Sequence, residues 1–218
     1  MKENLTEIVF ILDKSGSMQP LVDDTIGGFN GYVESQKEEP GEAYLTTVMF
    51  DDNYEILYDH INIAEAPPLT AAQYRPCGMT ALMDAIGRTI ISVGKRLADT
   101  PEEERPAHVI FVITTDGMEN ASREFSRNQV KEMIQHQQDK YSWQFLFLGA
   151  GIDAYKEASS IGIGGAHAMS VAATSWGTQS AYCSITNASK AIRSSTCVTD
   201  SLANGSWKVG DLGEQENK

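Results

Sequence analysis

The hydrophobic pattern along this chain predicts an α/β domain with a doubly wound, mostly parallel central sheet, one antiparallel edge strand and helices on both faces. Three observations carry that prediction. Short apolar runs rich in β-branched and large residues (8–12, 108–114, 143–148) alternate with segments of helical period over most of the length. No repeat or low-complexity stretch interrupts the alternation, and 218 residues are enough to bury one substantial core. Hydrophobic residues make up 41% and charged residues 22%, as in ordinary globular proteins.

The elements follow in order. Ile8–Leu12 is a continuous apolar run, which reads as a strand covered on both faces. Val22, Ile26, Phe29 and Val33 then recur at helical spacing, and Pro40-Gly41 ends the unit. Tyr44–Phe50 and Tyr54–Ile63 read as strands joined by Asp51-Asp52-Asn53, a connection so short that the pair must be antiparallel. A Pro-rich connection leads to Cys77-Gly78-Met79-Thr80, and Leu82, Ile86, Ile90, Val93 and Leu97 mark a long amphipathic helix. His108–Thr114 is the most strand-like run. Val130, Met133 and Ile134 lie on a helix, and Trp143–Leu148 forms another buried strand. Asp153–Ser160 reads as a short helix, Ala166–Val171 as the last strand and Gln179–Arg193 as the final helix. One domain over residues 1–198 is expected, with 199–218 as a frayed tail rich in Gly, Asn and charge.

Charge narrows the partners. Seventeen basic against 30 acidic side chains give a net charge of −13, with no basic run, so nucleic acid and anionic membrane are disfavoured. The start, Met1 to Glu7, is polar, and the first apolar run is too short for a signal peptide or a membrane span. Cys77, Cys183 and Cys197 are odd in number and show no paired spacing. A cytoplasmic location is expected.

Ligands of such sheets bind beyond the carboxyl ends of the strands, where the strand order reverses. Two strand ends there finish in aspartate: Leu12-Asp13 and Thr114-Thr115-Asp116-Gly117. The first continues as Asp13-Lys14-Ser15-Gly16-Ser17, which places a carboxylate and two hydroxyls on one side of a turning loop. Oxygen donors of this kind suit a hard divalent cation such as Mg²⁺, whereas imidazole or thiolate would point to zinc or copper. Taken alone, Asp-x-Ser after a strand reads equally well as a helix N-cap, and Thr-Asp-Gly as a turn. The pair of acidic strand ends favours the cation.

Asp13, Ser15 and Ser17, a threonine just before a long helix (Thr80), and Asp116 after a hydrophobic strand together resemble the von Willebrand factor type A (VWA) domain. Its metal-ion-dependent adhesion site (MIDAS) has the pattern Asp-x-Ser-x-Ser, then Thr, then Asp. The resemblance runs from about residue 5 to 193, in the family's order, and is to single-domain bacterial or phage versions. It implies a Rossmann-like fold and a metal held by Ser15 and Ser17 directly, by Thr80 and Asp116 directly or through water, and by Asp13 mainly through water. Mg²⁺ is the implied ion, with Mn²⁺ or Ca²⁺ as substitutes. The implied function is a non-enzymatic, intracellular assembly or adaptor module whose partner is a protein presenting an Asp or Glu carboxylate to an open coordination position. Two aspartates facing a +2 ion leave the site near neutral and receptive to that third carboxylate.

A competing reading is a Mg²⁺-dependent phosphoryl-transfer or phospho-acceptor domain, which also uses strand-end aspartates. Against it, Ser15 stands where such phosphatases carry a second aspartate, and the loop after Leu148 offers no lysine for a receiver site.

Several flanking residues carry weaker expectations. Lys14, Met18, Met118, Glu119 and Asn120 would rim the site, where Glu119 would oppose an acidic partner and so either orient Lys14 or set specificity; for the two methionines, simple packing is the alternative. Cys77 is expected to be a small buried residue, with no basic neighbour to activate its thiol. His60, His108, His136 and His167 lack ligand spacing, 162–165 is a Gly-rich turn and Glu102-Glu103-Glu104 a solvated connection. Asp51-Asp52 reads as a turn, with a second cation conceivable there.

Overall fold

The computed structural model describes residues 1–195, 202 and 205–212. Eleven main elements alternate as expected: β1 (Lys2–Asp13), α1 (Val22–Lys37), β2 (Glu42–Phe50), β3 (Tyr54–Asn62), α2 (Leu82–Asp99), β4 (Pro106–Thr115), α3 (Arg127–Tyr141), β5 (Gln144–Ala150), α4 (Ala154–Ser160), β6 (Ala168–Val171) and α5 (Ser175–Ser194). They build one sheet in the order β3-β2-β1-β4-β5-β6. Only the β2–β3 pair is antiparallel; β1 pairs in parallel with both β2 and β4. The strand order therefore reverses between β1 and β4, and the carboxyl ends of those two strands flank the crevice where doubly wound sheets take their ligands.

Alternation along the buried strands sorts the core into two layers. Ile8, Phe10 and Leu12 of β1, with Ile110 and Val112 of β4, face α1 and α5. Val9 and Ile11, with Phe111 and Ile113, face α2, α3 and α4. On the first face Phe10 meets Phe29 edge-on, with ring centroids 5.1 Å apart, and stacks on Tyr182. Each such fully buried side chain stabilises the fold by about 1.5–3 kcal/mol. The close approach of α1 to α5 depends on Gly28, where a Cβ would stand 2.1 Å from the Tyr182 ring.

β1 begins well before the apolar run that announced it. Leu5, Thr6 and Glu7 already pair with β2, and Glu7 is fully buried. Its carboxylate accepts hydrogen bonds from Arg96 Nη2 (2.7 Å) and Thr46 Oγ1 (3.0 Å), and lies 2.8 Å from His60 Nδ1. His60 reaches it from a left-handed backbone conformation (φ 52°) in β3, beside a register shift against β2, and stacks on Tyr44. Polar residues continue the strand here because an internal cation covers the charge.

Two further boundaries differ from expectation. α5 starts at Ser175 because Thr174 accepts a hydrogen bond from Gly177 N, a cap with no apolar periodicity to announce it. Ala166 and His167 belong to a 3₁₀ turn before β6. The expected domain end at 198 and Cys197 lie outside the described residues. In the stretch expected to fray, Leu202 and Trp207 are buried, Trp207 Nε1 donates to Ala166 O, and Val209 N donates to Ser184 Oγ. Among the described residues, no helix is long and apolar enough to cross a membrane.

Candidate metal centre

The loop after β1 turns away from the sheet at Asp13 and enters a 3₁₀ turn, Gly16–Leu21, that leads into α1. Lys14 N donates to Phe50 O, and Gly16 N donates to Gly78 O, so the loop is stitched to β2 and to the segment before α2. Asp13 is fully buried. One carboxylate oxygen accepts from Ser15 N (2.7 Å) and the other from Thr115 Oγ1 (2.6 Å). Tyr74 OH donates to the Asp13 carbonyl at 2.6 Å, from a side chain that is itself buried.

The five side chains expected as ligands come together at this spot. Ser15 Oγ and Ser17 Oγ are 3.2 Å apart, and Ser17 Oγ donates to Asp116 Oδ1 at 2.6 Å. Thr80 is placed by a reciprocal pair of bonds: its N donates to Asn120 Oδ1, and Asn120 N donates to its carbonyl. A Cβ added at Gly117 would stand 2.9 Å from Thr80 Oγ1 and 3.5 Å from Ser17 Oγ. Both hydroxyls thus face one small cup that glycine leaves clear. Among the described residues no three His, Cys, Asp or Glu side chains form a metal cage; the candidate donors gathered here are two carboxylates and three hydroxyls. That set fits a hard, oxygen-seeking cation.

Burial pushes the Asp13 carboxyl up to about 6, despite the hydrogen bonds from Thr115 and Ser15 that work the other way; the nearby Asp116 adds to the rise. Burial likewise raises the Asp116 carboxyl above its ordinary value, against the Ser17 hydrogen bond. Among the described residues these two carboxylates, both raised by burial, accept hydrogen bonds from neutral donors and form no ion pair.

The rim differs from expectation in three places. Lys14 does not turn to Glu119: its Nζ is 2.8 Å from Glu55 and 3.7 Å from Asp51, a pairing across the β2–β3 hairpin. Glu119 instead accepts from Met83 N in the first turn of α2, and from Ala121 N, Ser122 N and Ser122 Oγ. Asp84 accepts three further backbone N–H groups, from Arg123, Glu124 and Phe125, so the loop after β4 is bolted to the start of α2. Cys77 is exposed rather than buried, because its segment lies across the top of the Asp13 loop with Cys77 N donating to Lys14 O. Its Sγ donates to Asp51 Oδ2, which raises the thiol pKa. Asp51 itself closes the turn by accepting from Asn53 N. Met18 is buried, whereas Met118 is 68% exposed.

Thr115 and Tyr74 are the residues that sequence reasoning missed. Thr115 had a signal, since it sits between the strand and Asp116; Tyr74, far from Asp13 in the chain, had none.

Strand order, switch-point crevice and an oxygen-donor cup at the ends of β1 and β4 define a Rossmann-like domain of the von Willebrand factor type A fold. Solved structures of that fold bear this out. Proximal thread matrix protein 1 (PTMP1) from the mussel byssus superposes with a TM-score of 0.60 at 15% identity, over 86% of this chain and 46% of that one. A von Willebrand factor type A protein from Catenulispora acidiphila gives 0.55 at 14% identity, over 85% and 42%. The manganese-loaded TRAP protein of Plasmodium vivax gives 0.51 at 15% identity, over 72% and 63%. The mussel protein has also been solved with a zinc-occupied MIDAS motif. The chain spans less than two thirds of the length of each of these structures, and at such identities the likeness is one of fold. No protein-family model and no curated protein matches the chain.

Proposed function

We propose that this chain is a metal-ion-dependent protein-binding module, in which Asp13, Ser15, Ser17, Thr80 and Asp116 hold Mg²⁺ and leave a coordination position for an Asp or Glu of a protein partner. Mn²⁺ or Ca²⁺ would substitute. The observation that carries this reading is the cup at Gly117: hydroxyls of Thr80 and Ser17 face it, and Ser17 and Thr115 link it to Asp116 and to the fully buried Asp13. A bound divalent cation supplies Lewis acidity toward an incoming carboxylate, and two aspartates leave it close to neutral overall. Around it the chain's own residues act as positioning groups: Tyr74 and Thr115 fix Asp13, Asn120 fixes Thr80, and Glu119 and Asp84 hold the β4–α3 loop on α2. The module serves as a cytoplasmic assembly or adaptor part rather than an enzyme. Calorimetric titration with MgCl₂ tests the site. Millimolar or tighter binding is expected, lost in Asp13→Ala and weakened about tenfold in Gly117→Ala, whose methyl group intrudes on the cup. Binding that survives both substitutions would sink the reading.

A further inference from the structure

Two exposed methionines narrow the chemistry of the partner. Met79 is 51% and Met118 is 68% exposed, and each stands beside a proposed ligand position, Met79 next to Thr80 and Met118 next to Gly117. Their segments are one platform: Thr80 and Asn120 exchange two hydrogen bonds, and the space at Gly117 is bounded by Thr80 Oγ1. Single exposed apolar side chains are ordinary, but these two stand in hydrogen-bonded segments whose adjacent residues, Thr80 and Gly117, border the same cup. Long, polarizable and unbranched, they suit an adaptable contact with apolar side chains.

Charge at the rim works against an acidic run in the partner. Lys14, the one basic residue within the Asp13–Ser17 loop, is bound to Glu55 and Asp51, and its side chain is 12% exposed. The Asp52 carboxylate lies against Gly78, next to Met79. The chain as a whole carries −13, so each additional acidic group on a partner is repelled while one carboxylate is drawn to the metal.

We propose that the site takes a protein segment in which a single Asp or Glu is flanked by bulky apolar residues, with Met79 and Met118 covering the flanks. This rests on the metal-dependent reading above.

Three synthetic heptapeptides with a central Glu, flanked by Leu, by Gly or by Asp, provide the test. Their affinities are measured by calorimetry for the whole chain and for the Met79→Ser/Met118→Ser double variant, in Mg²⁺ and in EDTA, beside a titration with Mg²⁺ alone. The Leu-flanked peptide is expected to bind in Mg²⁺ about tenfold tighter than the Gly-flanked one, as partial burial of apolar flanks predicts. The Asp-flanked peptide is expected to be weakest. The double variant should lose the Leu advantage while keeping its Mg²⁺ affinity. Equal affinity for Leu and Gly flanks, a Leu advantage that persists in the double variant or in EDTA, or no Leu-peptide binding at millimolar concentration would each overturn the proposal. Failure of Mg²⁺ alone to bind the unaltered chain would remove the underlying metal reading as well; normal Mg²⁺ binding without flank preference would remove only this inference.

Discussion

β1 buries two carboxylates, one at its middle and one at its carboxyl end, and the two are treated in opposite ways. Glu7 and Asp13 are both fully buried, on positions of the same parity that alternation turns toward α2. α2 reaches both: Thr80 and Ala81 precede its first turn beside Asp13, and Arg96 in its last turn covers Glu7. Glu7 thus finds a guanidinium, an imidazole and a hydroxyl within the protein. Asp13 finds a hydroxyl, a backbone N–H and a second carboxylate nearby and, among the described residues, no ion-pair partner. The mid-strand carboxylate is neutralised internally, so it stabilises a fixed structure. The other is left with a charge that, on the proposed reading, an ion from solution satisfies. What separates a structural carboxylate from a binding one is the source of its counter-charge, since depth and strand are shared.

Removing the internal cation should have the largest effect. Arg96→Ala strands Glu7 with only His60 and Thr46, and is expected to cost about 3–5 kcal/mol of stability, read as a lowered urea midpoint without loss of Mg²⁺ affinity. An Arg96→Ala chain as stable as the parent would erase the contrast.

The opposite outcome is expected at the carboxyl end. With Asp13 raised from 3.8 to about 6, the folded chain binds more protons than the unfolded one between those values, so metal-free stability falls as pH rises through that window. Asp13→Asn removes the penalty and should stabilise the metal-free chain at neutral pH by about 2–3 kcal/mol. On the proposed reading Mg²⁺ binds the ionised carboxylate of the parent, so its stabilising shift in Tm should grow between about pH 5 and about pH 7 and be absent in Asp13→Asn. Thermal unfolding with and without Mg²⁺ across that range measures both.

The smallest effect belongs to Tyr74→Phe. Losing the hydroxyl bonded to Asp13 O should cost about 1–2 kcal/mol in chemical unfolding and weaken Mg²⁺ binding a few-fold, because it frees the loop without touching a donor.

The fold and the core of the site were legible because their signals are local. Apolar runs mark buried parallel strands, and Asp13, Ser15 and Ser17 sit in one short loop at a strand end. Thr80 and Asp116 were found by the resemblance and by strand ends, and the structure brings them to that loop. What stayed hidden depends on contacts between distant segments. Glu7 looks like the polar lead-in to a strand until Arg96 is seen beside it. Lys14 pairs with Glu55 only because β3 folds back on β2. Cys77 looked like a core residue by composition, and its exposure follows from the path of a Pro-rich loop over the Asp13 segment. Tyr74 reaches Asp13 from that same loop, with no periodicity to mark it.

The place of β1 at the centre of the sheet has a consequence for synthesis. Its partner β4 lies far downstream, with Thr115 and Asp13 separated by 102 residues. At translation rates of about 5–20 residues per second, the apolar run of β1 emerges roughly 5–20 s before the strand that covers its second edge. Until then the nascent chain has half a cup: Asp13, Ser15 and Ser17 are made, but Asp116 is not. The proposed ion site is therefore complete only once Asp116 has been made, about halfway along the chain and before α3, β5, α4, β6 and α5, so a cation captured there would report that the middle of the sheet had been delivered.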